Sequence, residues 1–422
     1  MATYKNGRPY SSECFNCYSG VRIAKIGDVT NKRDITSWEF VDNDEFYNQA
    51  GDLLTTGDIL MTLTGDPPDI GKVNYIYNPV NASWNQRVAK VCLTHEQSIY
   101  INNDVLYAIL STETVRIQLE RYAKGIRQRN LGNESFERLL LPVISKDMQL
   151  YIKACIEEAY ALYNSSMIRY KEAEESILLN ELQFVNWQPS IDTHSEKMIS
   201  NSFAKSGRLD AEYYQPKYDE LFDKLKTFET KLLSEIVDIK KSIEPGSDAY
   251  QTSGIPFIRV ADLSKFGLTT TDTYLSRDEY DGVIRPKKDT ILLSKDGSVG
   301  IAYKIEEDTD VITSGAILHL IIKDDSVKPD YLTLVLNSIV VKMQAERDAG
   351  GSVIQHWKPS EIENVVIPIL SDDIQKQITE NIRESFALRA RSQQLLELAK
   401  TAVEIAIEQG EDKAMELLTQ NM

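Results

Sequence analysis

Apolar residues recur at alternating steps of three and four along two long stretches, Asp147 to Gln183 and Asp372 to Gln409, neither holding a proline or glycine. The first carries Ile152, Ile156, Tyr160, Tyr170, Ala173 and Ile177, and the second answers with Ile378, Ile382, Phe386, Leu396, Ala399 and Val403. That spacing predicts two long amphipathic helices with coiled-coil seams, each roughly 55 Å in length. Asp147 and Asp372 or Asp373 suit their N-caps and Gly410 a stop. Ahead of each helix the pattern changes to short β-like runs punctuated by Gly, Asp and Asn. They are Val21–Val29, Ile59–Leu63, Val73–Tyr77 and Val88–Leu93, then Phe257–Val260, Ile291–Ser294, Gly300–Ile305 and Ile317–Ile322. A helical stretch follows in each set, Val105–Tyr122 and Tyr331–Arg347, then a glycine loop and a short apolar strand ending at Pro142 or Pro368.

The same order of elements given twice is a duplication, and residue identities agree. Gly125 to Ile152 falls on Gly351 to Ile378 at an offset of 226, with identities at 125/351, 137/363, 142/368, 145/371, 147/373, 149/375 and 152/378. Upstream the offset grows: Asp58 falls on Asp289 at 231, and Gly20 on Gly254 at 234. A steady drift means the same modules with short indels in loops, and the period is far too long for a solenoid.

The fold expected is α+β: two similar domains in tandem, separated by two long helices packed as an antiparallel coiled coil, with pseudo-two-fold symmetry. The segments are 1–145 (first β-rich domain), 146–185 (central long helix), 186–207 (linker), 208–371 (second β-rich domain with an N-terminal helical arm) and 372–422 (distal long helix). The arm starts at Gly207-Arg-Leu-Asp-Ala-Glu-Tyr-Tyr and is expected to run as helix to about Ile239; projected back by 234 it lies mostly before residue 1. The plainer reading of the long helices is that each packs on its own domain.

Composition changes this picture little. Hydrophobic and charged fractions of 42% and 26% are those of an ordinary globular protein. No run is long enough to span a membrane, and the N-terminus lacks the apolar core of a signal peptide, so a cytoplasmic location is expected. Cys14, Cys17, Cys92 and Cys155 form no disulfide framework; the CxxC at 14–17 has no second pair to complete a zinc site. The net charge of −17 argues against general stickiness to nucleic acid. Residues 1–145 carry only −2 of it, however, and Arg121–Arg129 holds four cations and no acid. Such a loop can hold phosphate whatever the distant charge, because screening limits reach to about 10 Å.

Catalytic chemistry is hard to find. None of the four histidines sits at metal-ligand spacing from Cys, Asp or Glu, and no GxSxG occurs. Gly65–Lys72 has one residue too many for a Walker loop, and Val73 stands where the magnesium-holding hydroxyl belongs. Asp66-Pro-Pro-Asp69 resembles an adenine-methyltransferase motif, but Asp69 cannot stack on a flipped base. Binding residues do occur, at matching places in both units. Loop one offers Thr62, Thr64 and Lys72 against Ser294, Lys295 and Ser298; loop two offers Gln86 and Arg87 against Ser314. Loop three offers Lys124, Arg127, Gln128 and Arg129 against Ser352, Gln355, His356 and Lys358. Arg and Gln form two-pronged bonds to base edges, and Ser, Thr and Lys suit phosphates. The bland alternative is solvated loops. Different side chains on a repeated scaffold favour two DNA readers tuned to different sequences.

These tandem units, the strand ending at Pro142 or Pro368 with its following helix, Ile255–Asp262 and Arg208–Tyr214 together resemble the specificity subunit of type I restriction-modification systems, over nearly the whole chain. The resemblance implies that each unit is a target-recognition domain reading one half of a split, asymmetric site in double-stranded DNA. Ile152, Ile156, Tyr170, Ile177, Ile378, Ile382, Leu396 and Val403 would pair the helices, which set the spacing and dock modification subunits, two in number. Those partners would hold S-adenosylmethionine and methylate adenine, while restriction subunits would use ATP and magnesium; this chain would be non-catalytic and bind no cofactor. A spacer near 50 Å covers roughly 15 base pairs. Two other readings stay open: the specificity chain of a type IIB-like system, and a coiled-coil assembly scaffold whose terminal domains bind protein.

Overall fold

The computed structural model describes residues 3–15, 17, 19–31, 35–66, 69–125, 128–269, 271–351 and 355–421, the side chains of Thr36, Asn201 and Lys205 excepted. The chain divides into two compact units, Met1–Asn164 with Leu388–Met422, and Ser165–Ala387. The division falls inside the long helices, not at their ends.

Each unit is built on an antiparallel four-stranded sheet of identical order. In the first, Thr3–Asn6 pairs with Val88–Cys92, which pairs with Ile59–Thr62, which pairs with Val73–Tyr75. In the second, Val237–Lys241, Ile317–Ile322, Ile291–Ser294 and Ala302–Lys304 take the same places. The central strands Ile59–Thr62 and Ile291–Ser294 are buried throughout, as β-rich apolar runs covered on both faces should be. A second small sheet stands beside each: Val21–Ala24 pairs parallel with Ala82–Trp84, and Ile255–Ile258 parallel with Ile312–Thr313.

The single helix expected after each sheet is two helices. Asn103–Leu110 gives way to Glu113–Tyr122, and Pro329–Asn337 to Ile339–Asp348. The break falls at Ser111–Thr112, where the Thr112 hydroxyl donates to Ile109 O and accepts from Val115 N as an N-cap. Ser338 stands at the corresponding break and donates to Val335 O. The arm also differs from expectation. It forms a 3-10 turn over Ala211–Tyr214 and an α-helix over Pro216–Leu225, then a strand, Thr230–Leu232, a turn of helix, Leu233–Ile236, and the sheet-edge strand from Val237.

The arm strand explains a further difference. Val366–Pro368 is a strand because Thr230–Leu232 pairs with it antiparallel. Among the described residues no strand forms at Pro142, and none pairs there as Thr230–Leu232 pairs with Val366–Pro368.

The first long helix runs α-helically over Lys146–Lys171 and widens into a π-helical turn over Glu172–Leu179. The second runs over Asp372–Gln409 as expected, and a further helix, Glu411–Asn421, follows Gly410, whose φ of +96° ends the run. Within the first unit Met148, Ile152, Ile156 and Tyr160 share a core with Leu396, Ala399 and Val403. Within the second unit Tyr170, Ala173 and Leu178, with Ile177 packed against them, share a core with Ile378 and Ile382. There the Ser385 hydroxyl donates to Ser166 O at 2.7 Å, and Arg169 pairs with Glu384 at 3.1 Å. All eight helix residues singled out by their spacing thus lie in or against a helix-bearing core. No helix of the described residues is long and apolar enough to cross a membrane.

Candidate nucleic-acid interface

Three loops come together in each unit through backbone bonds that repeat position by position. Loop one is closed by Thr62 N to Lys72 O (3.0 Å) and Gly71 N to Thr62 O (3.1 Å); its counterpart by Ser294 N to Ile301 O (3.0 Å) and Gly300 N to Ser294 O (2.9 Å). The hydroxyls at its base point inward. Thr62 is fully buried and donates to Asp69 O at 2.6 Å, and Ser294, equally buried, donates to Ser298 O at 2.5 Å. Both tie the loop to itself instead of facing a ligand, which corrects their place among the expected contacts. Ser314 is also buried; its backbone N–H bonds to Ile258 O, and Asn85 N bonds to Ala24 O likewise.

Loop two is held against the sheet-edge strand. Gln86 N bonds to Arg8 O (3.0 Å) in the first unit and Gly315 N to Ile243 O (2.7 Å) in the second. Gln86 and Arg87 are exposed, and Arg87 has no ion pair among the described residues. The same strand carries exposed Lys240 and Lys241, shortly before Ile243 bridges to Ser314 of loop two. Those lysines were missed from sequence, where a Lys-Lys pair inside an unremarkable run gave no sign of its strand.

Loop three is a five-residue hairpin in both units. Lys124 and Asn130 exchange backbone bonds of 2.9 and 2.8 Å around Gly125–Arg129. Gly350 and His356 exchange bonds of 3.1 and 2.7 Å around Gly351–Gln355. Each hairpin opens on a glycine of positive φ, +131° at Gly125 and +122° at Gly351, which an L side chain rarely adopts. Arg127 and Ser352, expected contacts at the tips, lie outside the described residues. Gln128 is exposed, and Arg129, half-buried, donates to Glu120 O at 3.4 Å. Gln355 and His356 are exposed. Lys124 (76% exposed) reaches Glu134 at 2.6 Å, and Lys358 (74% exposed) lies 3.6 Å from Glu361. Exposed pairs of this kind contribute roughly 0–1 kcal/mol, so either lysine can exchange its partner for a phosphate at little cost. Lys72 reaches Asp69 at 2.9 Å in the same way, and Ser298 is exposed.

Loops one and three are then joined. Thr64–Gly65 pairs antiparallel with Arg129–Asn130, and Leu131 N bonds to Leu63 O at 2.8 Å. In the second unit Gly297 N bonds to Gln355 O (2.9 Å) and Trp357 N to Lys295 O (2.8 Å). A side-chain pair crosses the same place in both: Thr64 Oγ1 donates to Asn130 Oδ1 at 2.8 Å, and His356 Nδ1 meets Asp296 Oδ1 at 2.8 Å. Lys295, largely buried, also pairs with Asp296. Burial works to raise the Asp296 pKa, but the hydrogen bonds from Lys295 and His356 outweigh it and hold the carboxyl below its ordinary value.

What results in each unit is a small three-loop surface with cations and amides outward and its polar ties inward, over a rigid sheet. Among the described residues no group of His, Cys, Asp and Glu is arranged to hold a metal. A site of this make offers hydrogen bonds to base edges and charge to phosphates. Residues 225–397, most of the second unit with the start of the second long helix, match the type I restriction modification DNA specificity domain. That stretch is similar to this family of DNA-specificity domains, and the chain as a whole resembles a type I restriction-modification specificity subunit.

Among solved structures the chain is similar to the S subunit of the type I restriction-modification system of M. genitalium (14% identity, 99% of this chain and 93% of that one, TM-score 0.36). It is also similar to the HsdS subunit of Thermoanaerobacter tengcongensis (14% identity, 85% and 82%, TM-score 0.31). No curated protein matches in sequence.

Proposed function

We propose that this chain is the DNA sequence-specificity subunit of a type I restriction-modification complex, with each three-loop surface reading one half of a bipartite, asymmetric target. The observation that carries this reading is the surface built twice on one backbone plan with different side chains: Gln86, Arg87, Gln128 and Arg129 in one unit, Lys240, Lys241, Gln355 and Lys358 in the other. Identical backbone frames with different donor sets suit two different short sequences. In this reading the two long helices pair antiparallel, set the distance between half-sites and dock two modification subunits, with restriction subunits joining them. Methyl transfer and cleavage belong to those partners, which hold S-adenosylmethionine, ATP and magnesium; this chain supplies recognition, in the cytoplasm.

Methylome sequencing of cells expressing the chain with its modification subunits tests the reading. Wild type should mark one split motif. Gln128→Ala should relax one half of it and Gln355→Ala the other. Loss of both halves together in a well-folded variant refutes the assignment of two independent readers.

A further inference from the structure

The side-chain pairs that bridge loops one and three are unexplained by the reading above, since their polar atoms face each other. Thr64 and Asn130 occupy one cross-strand position; Asp296 and His356 occupy the same position in the second unit, at offsets of 232 and 226. The backbone around both is the same: the closing bonds of the five-residue hairpin on one side, and Leu131 N to Leu63 O or Trp357 N to Lys295 O on the other. Only the chemistry of the clasp differs. One is a neutral hydroxyl–amide bond, the other an imidazole–carboxylate bond reinforced by Lys295.

The need for a clasp follows from the hairpin itself. Gln128 and Gln355, the described side chains that would meet a base, are exposed. The hairpin is joined to loop one by the cross-strand pair and the backbone bonds beside it. A hairpin held at one edge by two or three backbone bonds pivots about them unless a side-chain pair fixes the second direction. Loop one cannot yield in turn, because Thr62 and Ser294 lock its base from inside.

We propose that Thr64–Asn130 and Asp296–His356 are positioning pairs for recognition. Each fixes the reading hairpin of its own unit against loop one without touching DNA, and each therefore governs selectivity at one half-site only. This rests on the DNA-reading function proposed above. It also implies that the two clasps are interchangeable, because the backbone frames match: the neutral pair should work in place of the charged one.

The test uses the full chain with its modification subunits and a duplex that the wild-type complex selects from a random-sequence pool, with versions in which either half-site is scrambled. Asp296→Ala and His356→Ala should each lower discrimination at one half-site about tenfold, as expected for loss of one hydrogen bond that orders a contact. Thr64→Ala and Asn130→Ala should do the same at the other half-site. The graft Asp296→Thr with His356→Asn should restore discrimination to within about threefold of wild type. A merely structural role would not be rescued selectively. If Asp296→Ala leaves both half-sites unchanged while Gln355→Ala weakens one, the clasp is refuted and the reader stands. Equal loss at both half-sites, or a graft that rescues melting temperature without discrimination, also refutes it. If the wild-type complex selects no sequence, or Gln128→Ala and Gln355→Ala change nothing, the reading function itself falls.

Discussion

In the first unit the Tyr75 hydroxyl donates to Asp104 at 2.6 Å; at the matching place in the second, Lys304 meets Asp330 at 2.8 Å, with Glu306 at 3.1 Å and Arg383 on the far side of Asp330 at 3.2 Å. The strands carrying Tyr75 and Lys304 hold the same register against Ile59 and Ile291, and the helices carrying Asp104 and Asp330 follow at the same offset of 226. One carboxylate position has therefore been satisfied by a phenol in one copy and by an ammonium in the other. In the first copy Tyr75 also stacks on Tyr160 at 4.7 Å. Burial in the second opposes the charge on Lys304, but Asp330 and Glu306 outweigh it and hold its pKa above the ordinary value. The lesson is that the duplicated backbone tolerates a change of interaction type at a buried position. A frame that does so in its core can do so at its loops.

The sharpest way to break that comparison is to remove the carboxylate from each copy. Asp330→Asn leaves Lys304 buried without its full counter-charge and should destabilise by about 3–5 kcal/mol, the range seen when one member of a buried ion pair is lost. Asp104→Asn keeps an acceptor for the Tyr75 hydroxyl and should cost about 1 kcal/mol or less. Chemical denaturation of the two variants checks both. Equal costs would mean that the ion pair contributes no more than the neutral bond, and the contrast would fail.

The two units differ next at the extended edge before the long helix. Gln118 brackets Leu140 with bonds of 2.9 and 3.0 Å, and Gln344 brackets Val366 with bonds of 2.8 and 2.9 Å, so one side of each segment is held alike. Among the described residues the other side is paired in the second unit only, by Thr230–Leu232. Pro368 and Ile367 are consequently buried, whereas Leu140 is 75% and Val143 97% exposed. Ile367→Ala should cost about 2–4 kcal/mol as a fully buried truncation. Leu141→Ala, at the matching but half-buried position, should cost about 1 kcal/mol. A large loss from Leu141→Ala would show that something covers this edge in solution.

A third contrast is set by pH. Lys90, largely buried and paired with Asp58 at 3.1 Å, stands in the first sheet where His319 stands in the second. His319 is fully buried, with Thr313 Oγ1 at 2.8 Å from Nε2, and burial lowers its pKa from 6.5 to about 4. The fold accommodates the neutral ring, while the unfolded chain takes up a proton at its ordinary pKa. The second unit is therefore at full stability above about pH 6.5 and loses up to about 3 kcal/mol as pH falls towards 4. Denaturation midpoints between pH 7 and 4 should fall steeply in wild type and less so in His319→Gln. An unchanged slope in the variant would remove His319 as the cause.

Much of this organisation was legible because it was stated twice. The second long helix runs over the residues its spacing predicted, Asp372–Gln409, and the drift in offset marks real indels, although the strand register puts Asp58 on Thr290 and not on Asp289. Loop one is three residues longer in the first unit, which accounts for the step from 232 at Ile59/Ile291 to 229 at Gly71/Gly300. What escaped was whatever depends on a partner far away in sequence. Leu139–Ile144 looks as much a strand as Val365–Leu370, and only the arm decides between them. Thr62 and Ser294 looked like surface hydroxyls because nothing local says that a loop will fold over them. Asn130 and Asp296 stand out only once loops one and three are known to touch.

The smallest expected effect on stability tests the closest likeness between the units. A Cβ on Gly125 would lie 2.2 Å from Gln128 O across the hairpin, and φ is +131°, so alanine cannot take the place without moving the tip. Gly351 holds the equivalent position at φ +122°. Each substitution to alanine should cost about 1–2 kcal/mol of strain. On the proposed function its cost to recognition should be larger in proportion, since the shift falls on the hairpin assigned to reading the duplex. Gly125→Ala is expected to relax one half of the methylated motif and Gly351→Ala the other, with melting temperatures changed by similar small amounts. If only one glycine matters to recognition, the hairpins are alike in backbone alone, and the unit indifferent to its glycine reads DNA, if it reads it, through loops one and two.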